Sequence, residues 1–268
     1  MNTTRIRTAF KAFGIHFGIS LLVAALVAVL VFTIWYPYPF RELAGGRDLF
    51  ILVIAVDIIC GPLLTSILFS PTKPKKELVT DISMVVIVQF LALGYGIWNV
   101  WLARPVYLVN DGNRFHVVSR ISLDSKYLNS LEPTLQPNFF SGPLKVSMRE
   151  VAFFEQSTVD ALTQAGKDKS LLPQLYVTYD GVKAYQNAQS VKALSKIMPN
   201  KSAETEAIAK KSGVTDTQSL HFLYVLGQDA WFALLNTTGA ILGTPIPNKY
   251  MKASLESLYR LPRAIVNL

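Results

Sequence analysis

FGISLLVAALVAVLVFTIWY (residues 17–36), LFILVIAVDIICGPLLTSILFS (49–70) and ISMVVIVQFLALGYGIWNVWLA (82–103) decide the architecture of this 268-residue chain. Each run has about the 20 residues that an α-helix needs to cross a hydrocarbon core of roughly 30 Å. In the first, only Ser20 and Thr33 are plainly polar. Each Leu, Ile, Val or Phe contributes roughly −0.3 to −0.6 kcal/mol to insertion, so a dozen outweigh the roughly 2.5–3.5 kcal/mol that one acid such as Asp57 costs. Three crossings put the two ends of the chain on opposite sides of a bilayer. A cleaved signal peptide fits the first run poorly, because no small-x-small site follows it.

Basic residues set the expected orientation. Arg5, Arg7, Lys11, Lys73, Lys75 and Lys76 flank the spans on one side, against Arg41, Arg47 and Arg104 on the other. The positive-inside rule then places the N-terminus and the 71–81 loop in the cytoplasm. Trp35, Tyr36 and Tyr38 close the first span, and Trp98 and Trp101 the third, so both aromatic clusters fall at the same outer interface.

Residues 105–268 differ in composition. They have no long apolar run, and they are numerous enough to bury a core of their own. The single cysteine, Cys60, lies in the second span, so this region has no disulfide, as a bacterial periplasm permits. The net charge of +8 is dispersed, with no basic stripe interleaved with aromatics, which argues against nucleic acid as a partner. Residues 105–109 and 114–118 are β-rich and separated by Asn110-Asp-Gly-Asn113, a hairpin signal. Similar pairings are expected for 221–226 with 231–235 and, through Asn236-Thr-Thr-Gly239, with 240–243. Residues 151–165 and 202–211 read as helices, and 175–179 as a further strand. The expected fold is therefore an α-helical membrane region of three transmembrane helices plus an α+β extracytoplasmic domain with a mainly antiparallel sheet. The boundaries are 1–16 cytoplasmic, 17–104 membrane (helices 17–36, 49–70 and 82–103) and 105–268 exported. With Pro105 directly after the third span, the domain is expected close to the membrane surface.

Little here suggests chemistry. His16, His116 and His221 lie far apart without Cys or Glu at metal-ligand spacing, and no nucleophile-elbow, phosphate-loop or dinucleotide motif occurs. Leu93-Gly-Tyr-Gly96 resembles part of a potassium-channel filter, but it lies mid-helix, where a filter is an unwound loop. No catalytic, cofactor or metal residue is assigned, and the protein is expected to be non-enzymatic.

The intramembrane acid is the sharpest feature. Asp57 lies near the middle of its span, followed by Cys60-Gly61-Pro62. An acid in lipid is costly and marks a functional position by default. Gln89 and Tyr95 on the antiparallel third span fall within about one helical turn of its depth. Asp57, Gly61, Pro62, Gln89 and Tyr95 thus form a polar notch for a partner's transmembrane helix. In the competing reading Asp57 is neutral, or bonded to Gln89, Tyr95 or a proline-freed carbonyl, and only fixes packing of the three helices. Gly14, Gly18, Ala25, Ala28, Ala92 and Gly96 permit close helix approach, to this chain or another.

Several segments together resemble the TfpX/TfpZ-like family of type IV pilin accessory proteins. They are Phe13-Gly-Ile-His-Phe-Gly-Ile-Ser20, Trp35-Tyr-Pro-Tyr-Pro-Phe40 before a Gly-Gly-Arg-Asp turn, Val56-Asp-Ile-Ile-Cys-Gly-Pro-Leu-Leu-Thr65, the Lys-Pro-Lys-Lys loop, and Ala92-Leu-Gly-Tyr-Gly96 followed by Ala103-Arg-Pro-Val-Tyr107. The resemblance implies a bacterial inner-membrane protein that modulates type IV pilin stability, assembly or retraction. Its expected partners are pilin and the lipid bilayer, its C-terminal domain is periplasmic, and no catalytic residue is carried over. The alternative is a membrane-anchored sensor or binding module with a periplasmic ligand-binding domain. Oligomeric state is left open.

Overall fold

The computed structural model describes residues 3–70, 72–197, 201–214 and 216–247; the expectation for 248–268 lies outside them. Its chain forms two compact units. One holds the residues through Pro37 together with Gly45–Arg104, and the other Tyr38–Ala44 together with the residues from Pro105 onward.

The first unit contains three helices long and apolar enough to cross a membrane: Ile6–Trp35, Gly46–Leu68 and Lys75–Ala103. Helix α1 (Thr3–Leu30) closes in a π-helical turn, Val31–Trp35, just before Pro37. After a four-residue helix α2 (Phe40–Leu43) come α3 (Gly46–Leu68) and α4 (Lys75–Ala103). The helices α1 and α4 start well before their apolar runs. Nothing in residues 3–16 breaks a helix, and α4 begins directly after Pro74, with Glu77 in its first turn.

Helix α3 lies in the middle and packs against both α1 and α4. Its buried positions Phe50, Ile54, Asp57, Gly61 and Thr65 recur every three or four residues, as one helix stripe requires. Val85, Leu93, Gly96 and Val100 form the matching stripe on α4. Gly96 permits the close approach, because a Cβ there would collide with Val53. Leu26, Leu52, Ile67 and Leu91 point outward, as residues solvated by lipid do. Gly14 and Gly18, by contrast, face open space. Trp35 and Tyr36 are buried, at 1% and 0% exposure, rather than presented to an interface. The Tyr36 hydroxyl donates to the Val100 carbonyl at 2.9 Å, and its ring occupies the place a Cβ on Gly46 would need. The exposed aromatics at these helix ends are Tyr38 and Trp98.

The second unit is built on one eight-stranded sheet. Its strands are β1 (Pro105–Asn110), β2 (Arg114–Ser119), β3 (Leu144–Met148), β4 (Tyr176–Thr178), β5 (Gln189–Ser190), β6 (His221–Leu226), β7 (Ala230–Leu235) and β8 (Ile241–Pro247). The order is β4-β3-β1-β2-β6-β7-β8, with β5 paired to β6. The three expected hairpin pairings are present as β1–β2, β6–β7 and β7–β8.

The sheet is mostly antiparallel, as expected, but two pairings at its centre, β1–β3 and β2–β6, are parallel. Parallel neighbours need long crossovers, which leave no turn signature in the sequence. The crossovers carry the short helices α5 (Ser125–Leu128), α6 (Gln156–Gln164), α7 (Gly181–Asn187), α8 (Val191–Ile197) and α9 (Ser202–Lys211). One set of buried side chains joins Leu108, Phe115, Leu223, Val225 and Trp231 to Ala184 of α7. Another joins Phe222, Phe232 and Leu234 to Leu194 of α8 and Ala209 of α9. Covered in this way, β7 is buried at every position. Leu43 of α2 belongs to the first set: its carbonyl accepts from the Gln228 amide at 2.6 Å, and no Cβ would fit at Gly227 beside it.

Candidate partner-binding site in the membrane helices

Pro62 has no N–H, so the Ile58 carbonyl one turn earlier lacks its usual helical partner. The backbone group that Gln89 reaches is the adjacent carbonyl of Asp57, to which Nε2 donates at 3.2 Å. The same nitrogen donates to Ser20 Oγ at 3.0 Å, so one amide ties α1, α3 and α4 together. Gly61 makes room for it, because a Cβ there would collide with the Gln89 side-chain oxygen. Asp57, Gly61, Pro62 and Gln89 are thus brought together. Asp57 is only 8% exposed. Its Oδ1 and the Gln89 Oε1 are both buried without a hydrogen-bond partner.

Tyr95 stands apart from this cluster. It is 72% exposed and forms part of the wall of a groove on the α3–α4 side, about 320 Å³ in volume, which Asp57 and Gln89 also line. A second groove, about 420 Å³, opens between α1 and α4, with His16, Ser20, Asp57, Thr65 and Gln89 among otherwise apolar walls. His16 Nδ1 and Thr65 Oγ1 lie 2.6 Å apart, and Ser20 and Thr65 are both buried. Sequence reading left these three out of the notch. The available signal was that Ser20 and His16 are polar residues one helical turn apart on an apolar helix.

The second unit presents a different kind of surface. Phe153 and Phe154 are 98% and 82% exposed in a 3-10 turn. Arg149 holds that turn through paired bonds to Glu155 at 2.7 and 2.8 Å, and also donates to the Gln174 carbonyl next to edge strand β4. The guanidinium keeps the Glu155 carboxyl below its usual range. At the β1–β2 turn, burial raises the Asp111 pKa. Hydrogen bonds from His116 and the Asn113 and Arg114 amides outweigh that and hold it below the ordinary value. His116 is thereby a turn-stabilising residue, with Nε2 2.9 Å from Asp111 Oδ2. His221 packs edge-on against Tyr185 with ring centres 4.3 Å apart. Among the described residues, no three His, Cys, Asp or Glu side chains converge to hold a metal ion.

Residues 4–45 match the family described as Fimbrial assembly protein FimB. The fimbrial assembly protein of serogroups C1 and C2 from Dichelobacter nodosus is 44% identical over 120 residues, covering 45% of this chain and 92% of that protein. The serogroup I protein of the same organism is 46% identical over 120 residues, covering 45% of this chain and 47% of its own length. The serogroup E1 protein is 42% identical over the same shares. The aligned part of this chain therefore spans about half the length of the serogroup I and E1 relatives. No solved structure gives a significant match. These relatives carry the fimbrial-assembly description, not the TfpX/TfpZ label that the motifs suggested. The chain belongs to the fimbrial assembly protein family.

Proposed function

We propose that this protein is a non-enzymatic membrane factor of type IV fimbrial biogenesis, which binds pilin and modulates its stability, assembly or retraction. The observation that carries the reading is the 44% identity to a relative named a fimbrial assembly protein and covered over 92% of its length. In this reading the three apolar helices sit in a bacterial inner membrane, with the N-terminus cytoplasmic and the sheet domain periplasmic. A pilin waiting in that membrane has an apolar helix in the bilayer and a globular head outside.

Two surfaces suit such a partner. Asp57 and Gln89 line grooves that a transmembrane helix can enter. Phe153 and Phe154, exposed in a turn that Arg149 ties to Gln174 near edge strand β4, suit contact with a folded head. The test is photocrosslinking in the native bacterium, with a photoreactive residue at Ile97 or Phe154 and adducts identified by mass spectrometry. Pilin adducts from both positions support the reading. Adducts only to an unrelated signalling protein would replace it with the sensor alternative.

A further inference from the structure

We propose that the end of the sheet where β1 starts rests on the lipid surface, with Ile121, Phe139 and Phe140 inserted among the headgroups. The inference does not use the pilin reading. It asks only that the three apolar helices span a bilayer.

Sheet register places these residues. Pro105 opens β1 directly after Arg104, the cap of α4, so no linker separates the strand from the helix. Ser119, at the end of β2, pairs with Pro105, and Ile121 follows two residues later. Strand β3 runs parallel to β1 with Leu144 beside Tyr107, so Phe139 and Phe140 precede it at that same end. A second tether joins there. Strand β6 runs parallel to β2, which carries the turn at 227–229 to this end, where the Gln228 amide donates to the Leu43 carbonyl at 2.6 Å. Leu43 belongs to the segment Tyr38–Ala44, which leaves the first apolar helix and leads into the second. The chain thus passes between helices and domain three times, each time at one end of the sheet. Those short connections hold this end at the level where the helices leave the hydrocarbon.

The side chains suit that level. Phe140 is 72% exposed, Ile121 67% and Phe139 46%. The two rings meet edge to face, with centres 5.0 Å apart, on a tight turn from Asn138 to Ser141. That turn answers its own polar groups: Asn138 Oδ1 accepts from the Phe140 amide at 2.9 Å, and Ser141 Oγ from the Asn138 amide at 3.0 Å. An apolar tip on a backbone whose hydrogen bonds are made can enter a bilayer interface at little polar cost. Phe153 and Phe154 make the contrast. They follow the opposite end of β3, about 13 Å away along the strand, beyond the reach of the same surface.

The experiment uses the full chain carrying Cys60→Ala, reconstituted in bilayers of phosphatidylethanolamine and phosphatidylglycerol. A nitroxide is attached at Phe140→Cys or Ile121→Cys. Its collisions with oxygen, which concentrates in lipid, are compared with those with a neutral nickel chelate, which stays in water. Leu91→Cys, on the outward face of α4, gives the lipid reference, and Phe154→Cys the aqueous one. All four positions are exposed, so the label displaces no packed side chain. The oxygen-to-nickel ratio at both test positions should lie several-fold above that at Phe154→Cys and approach that at Leu91→Cys.

A ratio matching Phe154→Cys at either test position would leave this end of the sheet in water and overturn the proposal. An immobilised label with few collisions with either reagent would mean a cover of protein, from this chain's own helices or a second copy, and would overturn it equally.

Discussion

The three-helix unit and the sheet domain bury their residues by opposite rules. In the helical unit, most large apolar side chains point outward, and the middle of the interface between helices is polar: Ser20, Asp57 and Gln89. In the sheet domain the inside is mainly apolar, with Phe115, Phe222 and Phe232 fully buried and a few polar residues such as Asn110 and Ser147 among them. The difference is one of solvent. Lipid gives apolar groups no reason to hide, so hydrogen bonds and close packing hold membrane helices together. In the domain, hydrophobic burial supplies the driving force.

The contrast can be broken by comparing truncations. Phe232→Ala removes a ring packed edge-on against Phe222 at 5.4 Å and should cost roughly 3–5 kcal/mol. Limited proteolysis of the domain in the full chain should then accelerate strongly. Leu91→Ala in α4, at an outward position, should leave thermal stability in detergent almost unchanged. A comparable loss for Leu91→Ala would mean that the outward face is packed against something other than lipid.

A second substitution sharpens the packing half of the comparison. Gly96→Ile forces a side chain into Val53 and should destabilise the α3–α4 pair by roughly 1–3 kcal/mol, read as a lower melting temperature in detergent. Gly14→Ile, where nothing lies within reach, should have no such effect. Equal melting temperatures for the two variants would contradict the close approach at Gly96.

Smaller effects are expected at the domain surface. Phe153→Ser with Phe154→Ser should change stability by less than about 0.5 kcal/mol, because both rings are exposed, yet weaken crosslinking to pilin at the domain. A matching fall in stability would make these rings structural. The β1–β2 turn adds a pH dependence. Because the Asp111 pKa is depressed on folding, its contribution is complete above the ordinary Asp value of 3.8 and is lost as pH falls through the lower folded value. Amide exchange at Asn113 and Arg114 should speed up in that acid window, and Asp111→Asn should flatten the response.

What the sequence revealed follows the same division. The three spans were legible because a continuous apolar run of about twenty residues matches the thickness of a bilayer and exceeds what a buried core helix normally needs. The hairpins were legible because Asp111-Gly112 and Gly227-Gln228-Asp229 are local signals, and Gly112 indeed takes a positive φ of 102°. Strand β3, its parallel partnership with β1 and the β2–β6 pairing were not. Each depends on residues far apart in sequence: Gly142-Pro143 mark a turn before β3 but say nothing of which strand it pairs with. The role of Leu43 was hidden for the same reason, as a short interhelical connection whose partner lies at Gln228. Trp35 and Tyr36 carried an interfacial signature in the sequence but pack inside, because Gly46 leaves space for the Tyr36 ring. At the candidate site, helical depth correctly brought Gln89 to Asp57, whereas Tyr95 shares that depth and points another way. Depth is readable from spacing, but rotation about the helix axis follows from packing.

The most direct test of the central claim is a deletion in the native bacterium, complemented with the wild-type chain, with surface fimbriae counted by electron microscopy and membrane pilin measured by immunoblot. The expected result is a clear change in fimbriation or pilin level that the wild-type chain restores and Asp57→Leu restores poorly. Fimbriae and pilin both unchanged by the deletion would contradict a role in fimbrial biogenesis.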